Sequence, residues 1–180
     1  MSVIPGRLPK CFVFDLDYTL WNLWVDASTH VTPPLARRGE DVNKIYDKYG
    51  ETLEFYWDVP QILLDLKASG VHVAAASRTS APKLMIPSSK NGPLISAITL
   101  FDTLEIYPGS KLTHFKKLAD KTGIPSSECV FYDDEKRNRE VTKLGVTFVL
   151  AERGLTRKLL EEGIESWRQN NKIPQSEEEV

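Results

Sequence analysis

Five short apolar runs constrain the fold of this chain more than any other feature: CFVFDL (11–16), VHVAAAS (71–77), DTLEIY (102–107), CVFYDD (129–134) and VTFVL (146–150). They are near-continuously apolar and show little alternation, the pattern of parallel strands covered on both faces. Helix-patterned segments separate them. Asp58 with Gln61 predicts a capping box, Ile62, Leu63 and Leu66 form a stripe, and Gly70 is a stop signal. Ser110 predicts the cap of a second helix with Leu112, Phe115 and Ala119 facing inward and Gly123 at its end. A third helix is expected over 136–144, ending at Gly145, and a fourth over 156–168 with Leu159, Leu160, Ile164 and Trp167 on its apolar face. Alternating strands and helices predict an α/β fold, a doubly wound parallel sheet with helices on both faces.

Two stretches break this rhythm. The region between Trp21 and Trp57 has mixed charge, Pro33-Pro34 and alternation around Tyr49-Gly50. It reads as a loop plus a hairpin over the strand ends, too short for a large cap domain. The run PSSKNGP (87–93) reads as a surface loop. The expected organisation is an N-terminal arm (1–10), one domain (11–168) with a flap insertion over about 22–57, and a polar acidic tail (169–180) lacking order.

At 180 residues the length suits a single core. With 41% hydrophobic and 27% charged residues the composition is that of a globular chain, and a net charge of −2 gives no attraction to nucleic acid or membrane. No apolar run approaches a membrane span, and the N-terminus lacks the apolar core of a signal peptide, so an intracellular protein is expected, cytoplasmic with the nucleus as the alternative. Cys11 and Cys129 fall in strand-like runs and are expected as buried thiols. Neither has Arg six positions later, where Asp17 and Glu135 stand, so a cysteine-phosphatase loop is not expected. His30, His72 and His114 have no metal-ligand spacing.

The chemistry lies at the strand ends. The first run delivers Asp15 and Asp17, with Thr19 two residues on; the second ends in Ser77 and Arg78; the third is followed by PGSK, carrying Lys111; the fourth ends in Asp133 and Asp134. A parallel sheet places all of these on one edge, where α/β folds bind ligands. Carboxylates, a hydroxyl and a fixed ammonium converging on one point suit a magnesium-assisted phosphoryl site. Alternatives stand beside individual residues: Asp133 or Asp134 as a helix N-cap, Lys111 as a solvated lysine, Arg78 in a surface ion pair. Lys111 falls in a helix's first turn, a poor place for a cation on dipole grounds, which favours a functional reason for it.

The strings FDLDYTLW, AAASRTS, EIYPGSKLTHF, KTGIP and FYDDEKRN resemble the haloacid dehalogenase superfamily and, within it, the small eukaryotic magnesium-dependent phosphatases. The resemblance spans about 11–150 and implies a Rossmann-like sheet with only a small flap in place of a cap domain. It implies Asp15 as nucleophile and Asp17 as general acid and base. It implies Mg2+ held by Asp15, the main-chain carbonyl of Asp17 and Asp134, with Ser77, Arg78 and Lys111 on the phosphate or substrate. Asp134 and Asn138 fit the superfamily's D-x-x-x-D spacing, which leaves Asp133 to pair with Lys111. Thr19, Asp133 and Asn138 then support the residues that touch metal and phosphate, Thr19 by orienting Asp17 or capping the turn. Most superfamily members have Gly where Tyr18 stands. Trp21 and Trp24 either wall the entrance or pack in the core.

The implied substrate is a phosphorylated small molecule or phosphoprotein, with protein phosphotyrosine and sugar phosphates, including those on glycation adducts, as the classes the resemblance suggests. No nucleic-acid or membrane partner is expected, and a monomer is favoured. Three rivals have less support. A receiver domain carries its acidic pair before the acceptor aspartate, the reverse of the order here. A binding protein on a retired enzyme fold would not need every catalytic side chain. A dinucleotide-binding enzyme would need G-x-G-x-x-G after the first strand.

Overall fold

All five apolar runs form strands of one parallel sheet in the computed structural model, which describes residues 4–24, 44–78, 85–87 and 94–172. In chain order the strands are β1 (Cys11–Phe14), β2 (Lys44–Tyr46), β3 (Thr52–Glu54), β4 (His72–Ser77), β5 (Met85–Pro87), β6 (Leu94–Ser96), β7 (Thr103–Ile106), β8 (Cys129–Asp133) and β9 (Thr147–Leu150). The helices are α1 (Val59–Ala68), α2 (Lys111–Thr122) and α3 (Arg157–Asn170), and Lys136–Leu144 forms a 3-10 segment. The sheet order is β7-β4-β1-β8-β9, with every pair parallel.

Apolar character follows position in the sheet. The central strands β1, β4 and β8 are buried along almost their whole length, whereas the edge strands β7 and β9 are partly exposed. Successive side chains point to opposite faces. Phe12, Phe14, Val73, Ala75, Val130 and Tyr132 therefore meet α1 and α3 on one side. Cys11, Val13, Ala74, Ala76, Cys129 and Phe131 meet α2 and the 3-10 segment on the other. The two cysteines are register neighbours on β1 and β8 and are both free and buried, as expected. The neighbouring Cys129 thiol and burial together push the Cys11 thiol far above its ordinary range.

Several helix details differ from the sequence reading. Asp58 makes no side-chain cap to α1. Its Oδ2 accepts instead from the Arg157 N–H at 2.8 Å, and Gln61 donates to Asp65, so the capping-box residues serve a contact to α3 and an i,i+4 pair. Ser110 does cap α2, accepting from the Leu112 N–H at 3.1 Å, and Gly123 closes it in the left-handed region. The buried face of α2 is Lys111, His114, Phe115 and Leu118; Leu112 and Ala119 are only half-buried. That face is rotated because it carries a lysine toward the sheet edge.

α3 runs to Asn170, two residues past the expected end, and the described part of the N-terminal arm packs on it: Arg168 donates to the carbonyls of Pro5 and Arg7, and Arg7 stacks on Trp167. At Gly163 a Cβ would lie 2.3 Å from the Tyr132 hydroxyl, so the missing side chain lets α3 approach β8.

β2 and β3 pair antiparallel as the expected hairpin. Ile45, Leu53 and Phe55 bury their side chains with Trp21, so the hairpin is seated on the main core. No strand is expected from the sequence on either side of the 87–93 loop, but β5 and β6 form a second antiparallel hairpin that includes Pro87. The remainder of the 87–93 loop except these strand residues, residues 25–43 of the flap region, and 173–180 of the tail lie outside the described residues. No described helix is long and apolar enough to cross a membrane.

Candidate active site

Because the central strands are parallel and in register, their carboxyl ends share one edge. Asp15 follows β1, Ser77 ends β4, Lys111 opens α2 after β7, and Asp133 ends β8. The chain turns sharply after β1: Tyr18 has φ 54°, a left-handed conformation that suits glycine, the residue most superfamily members are expected to carry there. This turn folds Asp17 back under Trp21, whose indole N–H donates to Asp17 Oδ1 at 2.7 Å.

Lys111 is the hub. Its side chain is 1% exposed, and Nζ lies 2.5 Å from Asp15 Oδ1 and 3.1 Å from Asp133 Oδ2 while also donating to the Ala76 carbonyl. A solvated lysine is thereby excluded, and the expected Asp133–Lys111 pair is present. Asp133 is saturated: besides Lys111 it accepts from the Asn138 amide at 2.8 and 2.9 Å and from the Glu135 N–H at 2.8 Å. Asn138 thus orients Asp133, its neighbour in space, although it was paired with Asp134 by spacing. Thr19 does not reach toward Asp17 through its hydroxyl; its Oγ1 accepts from the Asp134 N–H at 3.1 Å, tying the first loop to the end of β8.

A cleft of about 310 Å³ opens at this edge, lined by Asp15, Asp17, Tyr18, Trp24, Ser77, Arg78, Asp134, Glu135 and Arg137. Arg78 is held on three sides, by the Gly109 carbonyl at 2.7 Å, Asn138 Oδ1 at 3.0 Å and Glu135 at 3.3 Å. It thus joins three loops as well as lining the cleft. Glu135 also takes a two-pronged contact from Arg137. The sequence reading missed Glu135 because a lone glutamate in a charged run carries no pattern. Trp21 is buried against Phe55 and Trp24 is 47% exposed on the cleft wall, so the two tryptophans divide the two roles left open for them.

Carboxylate oxygens of Asp15, Asp133 and Asp134 lie within 4.8 Å of one another. Burial raises Asp15 to about 7, with Asp133 adding to the rise and Lys111 opposing it. Burial, Asp133 and Glu135 raise Asp134 to about 6. Crowded acidic oxygens that repel one another, only partly offset by one lysine, suit a hard divalent cation such as Mg2+.

The sign of the pH dependence follows. Both folded values exceed the ordinary 3.8, so the metal-free folded state holds extra protons, and its stability falls as pH rises from about 4 through about 7. Metal ligation needs the deprotonated carboxylates, so Mg2+ affinity rises across the same window. Thermal unfolding with and without Mg2+ from pH 5 to about 8 checks this: the stabilisation by a fixed Mg2+ concentration is expected to grow with pH. A stabilisation that is flat or shrinks with pH would remove these carboxylates as the ligands.

The comparisons agree with this geometry. A family model described as Acid Phosphatase matches residues 7–170. A HAD-like hydrolase superfamily protein of Schizosaccharomyces pombe is 47% identical over 149 residues, covering 79% of this chain and 86% of the relative. Human magnesium-dependent phosphatase 1 is 44% identical over 163 residues, covering 90% of this chain and 89% of the relative. The Mg-complexed phosphatase domain of a Bacteroides fragilis protein superposes with a TM-score of 0.57 at 19% identity, over 87% of this chain and 40% of that one, which speaks for the fold alone. Sheet, loop order and relatives together define a haloacid dehalogenase-type phosphatase, a hydrolase of phosphomonoesters. Within that class the chain belongs to the acid phosphatase family.

Proposed function

We propose that the protein is a magnesium-dependent phosphatase that works through an aspartyl-phosphate on Asp15. The observation that carries this reading is the meeting of Asp15, Asp134 and the buried Lys111 in one cleft. Asp15, the main-chain carbonyl of Asp17 and Asp134 would hold Mg2+, which supplies charge neutralisation and orientation for the phosphoryl oxygens. Asp134 serves as the late ligand because Asp133 already accepts from Lys111, Asn138 and Glu135, whereas Asp134 lines the cleft.

The Asp15 carboxylate attacks phosphorus in line, and the bond from phosphorus to the leaving oxygen breaks. Asp17, held by the Trp21 indole, gives that oxygen its proton. Asp17 then takes a proton from water as the water attacks phosphorus, releasing phosphate and restoring Asp15. Ser77 and Lys111 bind the phosphoryl oxygens, Lys111 from a position fixed by Asp133. Arg78 and Trp24 line the same cleft and would meet the leaving group.

A cleft with the exposed Trp24 on its wall supports substrates with bulky leaving groups, either a phosphotyrosine side chain or a sugar phosphate such as one on a glycation adduct.

The test is pre-steady-state hydrolysis of 4-nitrophenyl phosphate by Asp17→Asn. This leaving group needs little protonation, so the first step survives while dephosphorylation loses its base. A burst of about one equivalent of nitrophenol is expected, followed by turnover slower by roughly 10²-fold or more. Borohydride should trap the phosphoenzyme at Asp15. A linear trace with no trappable group at Asp15 would overturn the covalent mechanism.

A further inference from the structure

His114 is fully buried on α2, three residues after Lys111, and has no part in the chemistry described above. Its Nδ1 lies 2.8 Å from the Ser110 carbonyl oxygen and its Nε2 lies 3.0 Å from the Tyr107 carbonyl oxygen. A carbonyl oxygen only accepts, so both contacts are bonding only when both ring nitrogens carry hydrogen. A neutral imidazole would set a lone pair against one of the two oxygens. The Tyr107 ring stacks on the imidazole at 4.3 Å and 4°.

The two carbonyls bracket the turn 107–110, whose last residue caps α2 and leads directly into Lys111. Gly109 in that turn has φ 143° and accepts from Arg78, so the turn also touches the cleft wall. The His114 ring spans this turn from Tyr107 to Ser110, beside the ties that Arg78 makes to Gly109 and Glu140 makes to Ser110. The charged groups around it are Arg78 after β4, Lys111, Lys117 and Lys121 from α2, Glu105 from β7 and Glu140 from the 3-10 segment. Glu105 accepts from Lys121 and from the Tyr107 hydroxyl, Lys117 lies over the Tyr107 ring at 4.4 Å, and Glu140 accepts from the Ser110 hydroxyl at 2.9 Å.

We infer that His114 is a positioning residue of the phosphatase: an imidazolium that pins the 107–110 turn and thereby fixes Lys111 against Asp15. The inference rests on the reading of Lys111 as the ammonium that binds the phosphoryl group. His114 touches neither substrate nor metal, and its effect passes through the turn it ties.

Two measurements test it. The first is the two-bond proton–nitrogen NMR spectrum of the wild-type ring near pH 7, which needs no activity. Two protonated ring nitrogens are expected, and the pattern of a neutral tautomer would overturn the inference. The second is kinetic, with Mg2+ present. His114→Phe keeps the ring stack on Tyr107 and removes both donors. It is expected to lower kcat by roughly 10- to 100-fold, the scale of a displaced catalytic group, with KM little changed.

In a Lys111→Met background the same substitution should change kcat less than about two-fold, because its effect is already lost. Equal effects in both backgrounds would mean a purely structural role and would sink the inference. If Lys111→Met itself kept wild-type kcat, the assigned role of Lys111 would fail first, separately from the NMR result.

Discussion

Asp15→Asn is expected to lose roughly 10⁴-fold or more of kcat, the scale seen when a covalent nucleophile is removed, while the protein stays folded. The amide oxygen can still accept from Lys111, which lies 2.5 Å away. What disappears is the charge that attacks phosphorus. The stability arm separates this from misfolding. At pH 8 the wild-type carboxylate is ionised beside Asp133 and Asp134, an arrangement that burial and repulsion penalise. Metal-free Asp15→Asn should therefore have a Tm no lower than that of the wild type at that pH, and Mg2+ should stabilise it far less. A folded variant with more than about a tenth of wild-type kcat would end the nucleophile reading.

The second large effect is expected at Lys111. Its ammonium is enclosed by Asp15, Asp133, the Ala76 carbonyl and the face of Phe131. Lys111→Met keeps the stem and deletes the charge, leaving Asp133 buried without its ion-pair partner. Breaking a buried pair in this way costs about 3–5 kcal/mol. Loss of phosphoryl stabilisation should lower kcat by about 10²- to 10³-fold besides.

The two losses should respond differently to Mg2+. Added metal offsets part of the crowded negative charge and should recover part of the stability, as read by urea unfolding. It does not replace the ammonium on the phosphate, so kcat should stay low at saturating Mg2+. Unchanged unfolding and near-wild-type kcat would show that the buried pair matters to neither.

The strand-end residues were legible because parallel strands turn sequence order into spatial convergence. Once five apolar runs are read as one parallel sheet, Asp15, Ser77, Lys111 and Asp133 must share an edge. The order of their loops then excludes a receiver. Ser110 and Gly123 were legible too, since a cap acts through backbone groups one or two residues away. Asp58 failed by the same standard. Its local pattern was right for a capping box, but the Arg157 N–H, distant in sequence, was the partner available.

What the sequence by itself determined is the sheet, the family likeness and the list of chemically competent side chains, because periodicity and loop order carry those. Only the tertiary structure decided how those side chains are shared out. It showed that Asn138 supports Asp133, that Thr19 ties to the Asp134 N–H, that Trp21 holds Asp17 while Trp24 lines the cleft, and that His114 spans a turn. These are hydrogen-bond choices with steep dependence on distance and angle. Each is settled by where two segments far apart in the chain come to rest, which no local pattern records.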